Sequence, residues 1–120
     1  MENLQLESTD DTPAVFLSKH EEVFKISGRS LPEDVVTFFG PIMAWIQEYS
    51  LSPNPSTHFI FKLDYFNTAS SKLILDLLNE LKKIKGCQII WYAYEDDEEI
   101  QDAGKEFSEQ VDIPFEFRKL

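Results

Sequence analysis

The chain is poor in cysteine, glycine and histidine, and each shortage argues against a class of function. Its 120 residues include one cysteine, four glycines and two histidines. A lone cysteine, Cys87, forms neither a disulfide framework nor a cysteine zinc site, which suits a reducing compartment. The glycines are isolated from one another in the chain: Gly28, Gly40, Gly86 and Gly104. They therefore cannot form the phosphate-cradling loops of nucleotide-binding sites.

Catalytic side chains are equally scarce. The two histidines, His20 and His58, are predicted in a turn and on a strand face, and they lack the spacing of a metal site. No serine has the surroundings of a nucleophile elbow, and no cysteine–histidine pair is indicated. We therefore expect a protein that is not an enzyme and that uses no metal and no cofactor.

Positive charge is also in short supply. There are 22 acidic and 11 basic residues, which gives a net charge of 11 − 22 = −11. An acidic surface repels phosphate groups, so the composition argues against nucleic acid and anionic membranes and favours a protein with a basic patch. No apolar run approaches the roughly 20 residues that span a bilayer, and the first residues do not resemble a signal peptide. We expect no membrane insertion and a cytoplasmic location.

The apolar content suits one folded domain. Hydrophobic residues make up 42% of the chain, and 120 residues are typical of a single domain, here 1–120. Alternating or apolar runs predict strands at residues 3–7, 14–18, 22–27, 57–65, 87–94 and 114–118. Helical spacing predicts helices at 31–50 and 68–85, with a third after Asp96 or Asp97. These elements predict an α/β fold: a mixed sheet of about five strands, an N-terminal antiparallel hairpin and about three helices.

The first predicted helix contains two local signals. Ser30 has the character of an N-cap, and Glu33 three residues later completes a capping box. Gly40 and Pro41 lie within the same periodic stretch, where proline removes a helical hydrogen bond. We therefore expect a helix that starts after Ser30 and that is kinked or divided at Pro41.

Two strand patterns predict where side chains point. In residues 57–65, Phe59, Phe61, Leu63 and Tyr65 fall on one face. Residues 87–94 are almost entirely apolar, which is typical of a central strand covered on both faces. Phe66 follows the first of these strands, so we expect it to be partly exposed and available to a partner.

The acidic run 95–99 is the strongest candidate for metal chemistry. It follows an apolar strand, at the end where α/β folds place their ligands, and carboxylates suit Mg²⁺. Carboxylates at a helix start also accept from free N–H groups and favour the positive end of the helix dipole, and we prefer this interpretation. Residues 95–112 contain nine acids and one lysine, a net charge of −8, so the third helix should have a negative surface.

A possible regulatory position lies at the start of the second helix. Either Asn67 or Thr68 suits the N-cap, because both side chains accept hydrogen bonds from free N–H groups. A phosphate on Thr68 would meet outward-pointing N–H groups, with Lys72 one turn away. It would add nearly two negative charges and bulk without unfolding the domain. Thr68 is therefore placed where a modification could turn away a partner.

Four segments resemble the SiaC family of bacterial regulatory phosphoproteins: 28–34 (GRSLPED), 38–45 (FFGPIMAW), 63–72 (LDYFNTASSK) and 91–97 (WYAYEDD). The resemblance implies a STAS-like fold, related to anti-sigma-factor antagonists. It implies that Thr68 is phosphorylated by a dedicated protein kinase and dephosphorylated by a PP2C-type phosphatase. It also implies that the unphosphorylated protein binds a diguanylate cyclase and promotes cyclic-di-GMP synthesis, which governs biofilm formation.

On this interpretation the partner contacts residues around the acceptor: Phe66, Asn67, Ser70, Ser71 and Lys72. Two alternatives stay open. An anti-sigma-factor antagonist would use the same switch with a different partner. A small metal-dependent enzyme would use the 95–99 run instead.

Overall fold

The computed structural model describes residues 1–120. Its strands are β1 (Leu4–Leu6), β2 (Ala14–Ser18), β3 (Val23–Ser30), β4 (Thr57–Phe66), β5 (Cys87–Ala93) and β6 (Phe115–Lys119). Its helices are α1 (Val35–Tyr49), α2 (Thr68–Leu81) and α3 (Glu98–Gln110). The predicted α/β fold, mixed sheet, N-terminal hairpin and three helices are confirmed. The sheet has one strand more than the expected five or so, because the short β1 joins its edge.

The six strands lie in the sheet in the order in which they occur in the chain. β1, β2 and β3 pair antiparallel, whereas β3 to β6 pair parallel. Each parallel connection contains one helix, and right-handed crossovers that all step in the same direction place those helices on one face of the sheet. The result is two layers, with the other face of the sheet left without a helix.

The core lies between these two layers. Alternate strand residues point toward the helices, and the largest of them meet helix side chains through their rings. Phe24 of β3 lies 5.0 Å from Tyr49 of α1, and Trp91 of β5 lies 5.6 Å from Phe107 of α3, between ring centroids. α2 contributes four buried residues to the same cluster: Ile74, Leu77, Leu78 and Leu81.

The start of α1 differs from the prediction. Ser30 is the buried last residue of β3, and α1 begins only at Val35, so Ser30 does not adjoin the helix that it was expected to cap. Asp34 is the N-cap instead, and its carboxylate accepts from the Thr37 amide at 3.1 Å. The predicted capping box of Ser30 and Glu33 is therefore wrong, because β3 extends further along the chain than its periodicity indicated.

α1 continues through Pro41 as one helix. The predicted division into two pieces is therefore wrong. The helix buries Phe39, Ile42 and Trp45 around the proline, and this packing on both sides compensates for the hydrogen bond that proline removes.

β5 is not covered by helices on both faces. β4 and β6 flank it, and its helix-facing residues include Ile89 and Trp91. On the opposite face Ile90 pairs with Ile60 of β4, and these side chains shield each other without a helix above them. None of the three helices meets the length and apolarity needed to cross a membrane.

Candidate functional site at the start of α2

The junction of β4 and α2 positions the predicted regulatory residue. β4 ends at Phe66, Asn67 has extended backbone angles of φ −85° and ψ 174°, and Thr68 is the first helical residue. The Asn67 side chain accepts a hydrogen bond from the Ser70 amide at 2.8 Å. Asn67 is therefore the N-cap, which decides between the two residues that the sequence left open.

This arrangement leaves Thr68 free. Its side chain is exposed and makes no hydrogen bond to any residue of the chain. The backbone amides of Thr68 and Ala69 also donate to no protein group, whereas the next two amides bond to Asn67. The site therefore combines an accessible hydroxyl with two free N–H donors at the positive end of a helix.

Ser70 fixes this helix start to the sheet. It is fully buried, and its hydroxyl donates to the Ser30 carbonyl at 3.0 Å. The Ser30 hydroxyl donates to the Ser70 hydroxyl at 2.9 Å, and the Asn67 amide donates to the Ser30 carbonyl at 3.1 Å. The end of β3 thus holds the first turn of α2 through three hydrogen bonds. Sequence reasoning identified Ser30 only as a helix cap and missed this role.

An irregularity in the sheet turns the end of β4. The register between β3 and β4 shifts after Gly28, so that Gly28 pairs with Leu63 and Arg29 pairs with Tyr65. Gly28 has φ +118°, a conformation that side-chain-bearing residues rarely adopt. As a result Tyr65 is 45% exposed instead of sharing the buried face of Leu63. The predicted position of Tyr65 on that face is wrong.

Phe66 returns to the core side. Its ring lies 6.3 Å from Trp91 and 6.1 Å from Phe107, between centroids. The residue is half-buried: one part of its ring packs against the core beneath the β4–α2 junction, and only the remainder is accessible to a partner.

A groove of about 290 Å³ runs beside Thr68, between α2 and α3. Its lining residues follow helical spacing on each side: Thr68, Ser71, Lys72 and Leu75 from α2, and Ala103, Glu106, Phe107 and Gln110 from α3. Leu75, Ala103 and Phe107 form its apolar part. Lys72 and Glu106 bring one charge of each sign, both exposed to solvent.

The predicted partner residues thus divide into two groups. Ser71 and Lys72 lie with Thr68 along the groove, where a partner can touch them. Ser70 is buried, Asn67 is engaged in capping and Phe66 packs beneath the junction. The second group holds the site in place and presents little surface of its own.

The acidic run 95–99 has structural partners. Asp97 is the N-cap of α3 and accepts from the Ile100 amide at 3.1 Å, and Glu95 pairs with Lys119 at 3.1 Å. In residues 1–120, no three histidine, cysteine, aspartate or glutamate side chains come together as a metal site would require. The geometry favours the helix-capping interpretation of this run.

Comparison with known families agrees with the fold and the motifs. A model of the SiaC family of regulatory phosphoproteins matches residues 6–120. The chain belongs to the SiaC family. An uncharacterized protein of Pseudomonas aeruginosa strain UCBPP-PA14 is 24% identical over 119 residues, which cover 96% of this chain and 94% of that protein.

Solved structures of the family have the same architecture. Apo-SiaC from Pseudomonas aeruginosa superposes with a TM-score of 0.89 at 24% identity, covering 98% of this chain and 99% of that one. A crystal structure of the diguanylate cyclase SiaD in complex with its activator SiaC, from the same organism, gives 0.91 at 23% identity, with 98% and 99% covered. At this level of identity the likeness establishes a common fold.

Proposed function

We propose that the chain is a non-catalytic switch, a single SiaC-type domain controlled by reversible phosphorylation of Thr68. The observation that carries the proposal is the division of labour at the helix start: Asn67 caps α2, which leaves the Thr68 hydroxyl exposed and without a partner. A dedicated protein kinase adds the phosphate and a PP2C-type phosphatase removes it. We place the chain in the cytoplasm, where a kinase has ATP.

The helix start can accept a phosphate at little cost to the fold. The free amides of Thr68 and Ala69 supply N–H donors, and the helix dipole favours negative charge there. Lys72 lies one turn further on the same side and makes no ion pair within the chain. The first turn is also held by Ser30 and Ser70, so the modification does not release it.

The same phosphate changes the α2–α3 groove. It brings about −1.5 to −2 charges into a groove that Glu106 already lines. Its bulk also occupies the end where Lys72 is exposed and Ser71 is half-buried. A protein that docks in the groove when Thr68 is unmodified is then opposed by both charge and volume.

We propose a diguanylate cyclase as the docking partner, so that the unphosphorylated protein promotes cyclic-di-GMP synthesis and thereby biofilm formation. This rests on family membership and on the complex that a SiaC relative forms with the cyclase SiaD. Ser71 and Lys72 contact the cyclase, whereas Phe66, Asn67 and Ser70 hold the docking surface in shape.

Intact-mass spectrometry after co-expression with the cognate kinase tests the modification. We expect one added phosphate on the wild type and on Thr68→Ser, and none on Thr68→Ala. Thr37→Ala is the matched control, because Thr37 is an exposed threonine in the first turn of α1. An equal amount of phosphate on Thr68→Ala would contradict the assignment of the site.

A second experiment tests the effect of the phosphate. The purified cyclase is assayed for cyclic-di-GMP synthesis with unmodified protein, with phosphorylated protein and with Thr68→Ala exposed to the kinase. We expect stimulation by the first and third, and binding about tenfold weaker or worse for the phosphorylated form. Equal binding by phosphorylated and unmodified protein would exclude the switch even if Thr68 is the site of modification.

A further inference from the structure

The far edge of the sheet is open. β6 pairs with β5 and with no other strand, so one side of Phe115–Lys119 presents unpaired backbone groups. Such an edge is a template for another strand.

The hydrogen bonds at the two ends of the β5–β6 ladder determine which backbone groups are free. The Ile89 amide donates to the Pro114 carbonyl at 2.9 Å, and the Leu120 amide donates to the Ala93 carbonyl at 3.0 Å. Backbone direction alternates along a strand, so even-numbered residues of β6 bond to β5. Phe115, Phe117 and Lys119 therefore direct their N–H and C=O groups away from the sheet.

The side chains of β6 complement a second, antiparallel copy of the same strand. When Phe117 lies opposite Phe117 of the second copy, Glu116 lies opposite Arg118 of that copy, and the reverse pair forms by symmetry. Phe115 then faces Lys119, so that all residues with free backbone groups meet one another. In antiparallel ladders such residues exchange both hydrogen bonds, while the intervening Glu116 and Arg118 form the closer, non-hydrogen-bonded pairs.

Charge selects this register over its neighbours. A shift that centres the pair on residue 116 places Glu116 against Glu116, and a shift that centres it on residue 118 places Arg118 against Arg118. Like charges directly opposite each other are destabilising. Within one chain Glu116 and Arg118 already contact each other, so the paired strands would form a network of alternating charge.

Phe117 gives the edge an apolar contact. It is 47% exposed on the helix-facing side of the sheet, although it stacks on Phe115 at 5.8 Å between centroids. It also lines an open groove of about 290 Å³ to which Gln101 and Lys105 of α3 contribute. A second Phe117 arriving across the edge would cover the exposed part of the ring.

We propose that β6 is a homodimer interface: two copies pair their β6 strands antiparallel, centred on Phe117, into one continuous sheet. The interface is isologous, as most homodimers are. Five residues a side make it small, and the charge of −11 on each copy opposes association. The dimer is therefore weak and transient. This proposal does not depend on phosphorylation of Thr68 or on a cyclase.

Sedimentation velocity of the full chain over a concentration series, at about 0.15 M salt and again at higher salt, measures the association. We expect a mass that rises toward that of a dimer with concentration. Phe117→Glu should abolish the rise. Leu51→Glu is the control, since Leu51 is 84% exposed but lies in the turn after α1, and it should leave the association unchanged. A monomer at every concentration would overturn the proposal.

A charge exchange tests the register itself. Glu116→Arg places arginine against Arg118 of the second copy, and Arg118→Glu places glutamate against Glu116. Each single variant should weaken association up to about fivefold for each symmetry-related pair. The double variant restores opposite charges and should recover most of the affinity. If all three variants associate as strongly as the wild type, or if the double variant associates more weakly than both single variants, the copies meet elsewhere.

Discussion

Asn67 and Thr68 are adjacent at the start of α2, and both are residue types that can cap a helix. Asn67 caps the helix, and the Thr68 hydroxyl makes no hydrogen bond within the chain. Replacing Asn67 by alanine should therefore lower the free energy of unfolding by about 0.5–2 kcal/mol. Thr68→Ala removes no hydrogen bond, so its effect should stay within about 0.5 kcal/mol. Urea unfolding of both variants measures the difference, and an equal loss for the two would contradict the capping assignment.

Ser70 and Ser71 are neighbours in which a structural role and a partner-binding role can be tested separately. Ser70→Ala leaves the Ser30 hydroxyl without its buried partner, which should cost about 1–3 kcal/mol. Ser71→Ala is a matched control one residue along, because Ser71 lies on the groove and makes no side-chain hydrogen bond within the chain. It should leave stability unchanged and, under the proposed function, weaken cyclase binding. The reverse pattern in urea unfolding and binding assays would show that these roles are misassigned.

The sequence predicted the start of α2 but did not determine which residue is its N-cap. Asn67 and Thr68 are both favoured there, and the choice depends on where β4 ends. β4 ends where Phe66 pairs with Ser30, after the register shift beside Gly28, and this pairing joins strands far apart in the chain. The buried contact between Ser30 and Ser70 spans 40 residues, which no local pattern can indicate.

Among the elements, α1 shows how sheet pairing overrides a local signal. Ser30 resembles a cap, but β3 continues through it and pairs it with Phe66 of β4. Asp34 then takes the capping position. The same reasoning explains Pro41: propensity predicted a kink or a division there, whereas the buried residues on both sides keep one undivided helix.

The new cap has a measurable pH dependence. Hydrogen bonds from the Thr37 hydroxyl and then from its amide hold the pKa of Asp34 below its ordinary value of 3.8. A lowered pKa means that the ionised cap stabilises the fold fully above that ordinary value, and that the stabilisation is lost as the pH falls through the lower folded-state pKa. Asn in place of Asp34 can cap but cannot titrate.

The comparison is therefore between the wild type and Asp34→Asn, unfolded with urea from about pH 6 down to about pH 2.5. Any advantage of the wild type should shrink only below about pH 4. A difference that stays constant over the whole range would show that ionisation of Asp34 does not contribute to the stability of α1.

For the whole molecule, local sequence patterns did not predict how the sheet and the helices are layered. The apolar run in β5 predicted a strand buried between two layers, yet all the helices lie on one side. Ile60 and Ile90 account for the discrepancy, because they pair across β4 and β5 on the face without helices. Apolar residues can shield each other across neighbouring strands, so an apolar run alone does not reveal whether a helix covers it.

Cys87 makes it possible to test whether the switch acts on the surface or on the fold. The thiol is 5% exposed, and burial raises its pKa to about 12, so in the native protein it is both protected and protonated. A thiol reagent should modify it only after opening of the core, more slowly than an exposed cysteine by a factor that follows the unfolding equilibrium. Leu51→Cys in a Cys87→Ser background supplies the exposed reference.

The proposed switch predicts how phosphorylation of Thr68 affects the rate at which Cys87 is modified. If the phosphate on Thr68 is held by the free amides of α2 and repels a partner only at the groove, then phosphorylated and unmodified protein should protect Cys87 equally. Faster modification of Cys87 in the phosphorylated protein would mean that the phosphate loosens the core, and that partner release follows from local unfolding. Equal protection together with lost cyclase binding would place the whole effect at the surface beside Thr68.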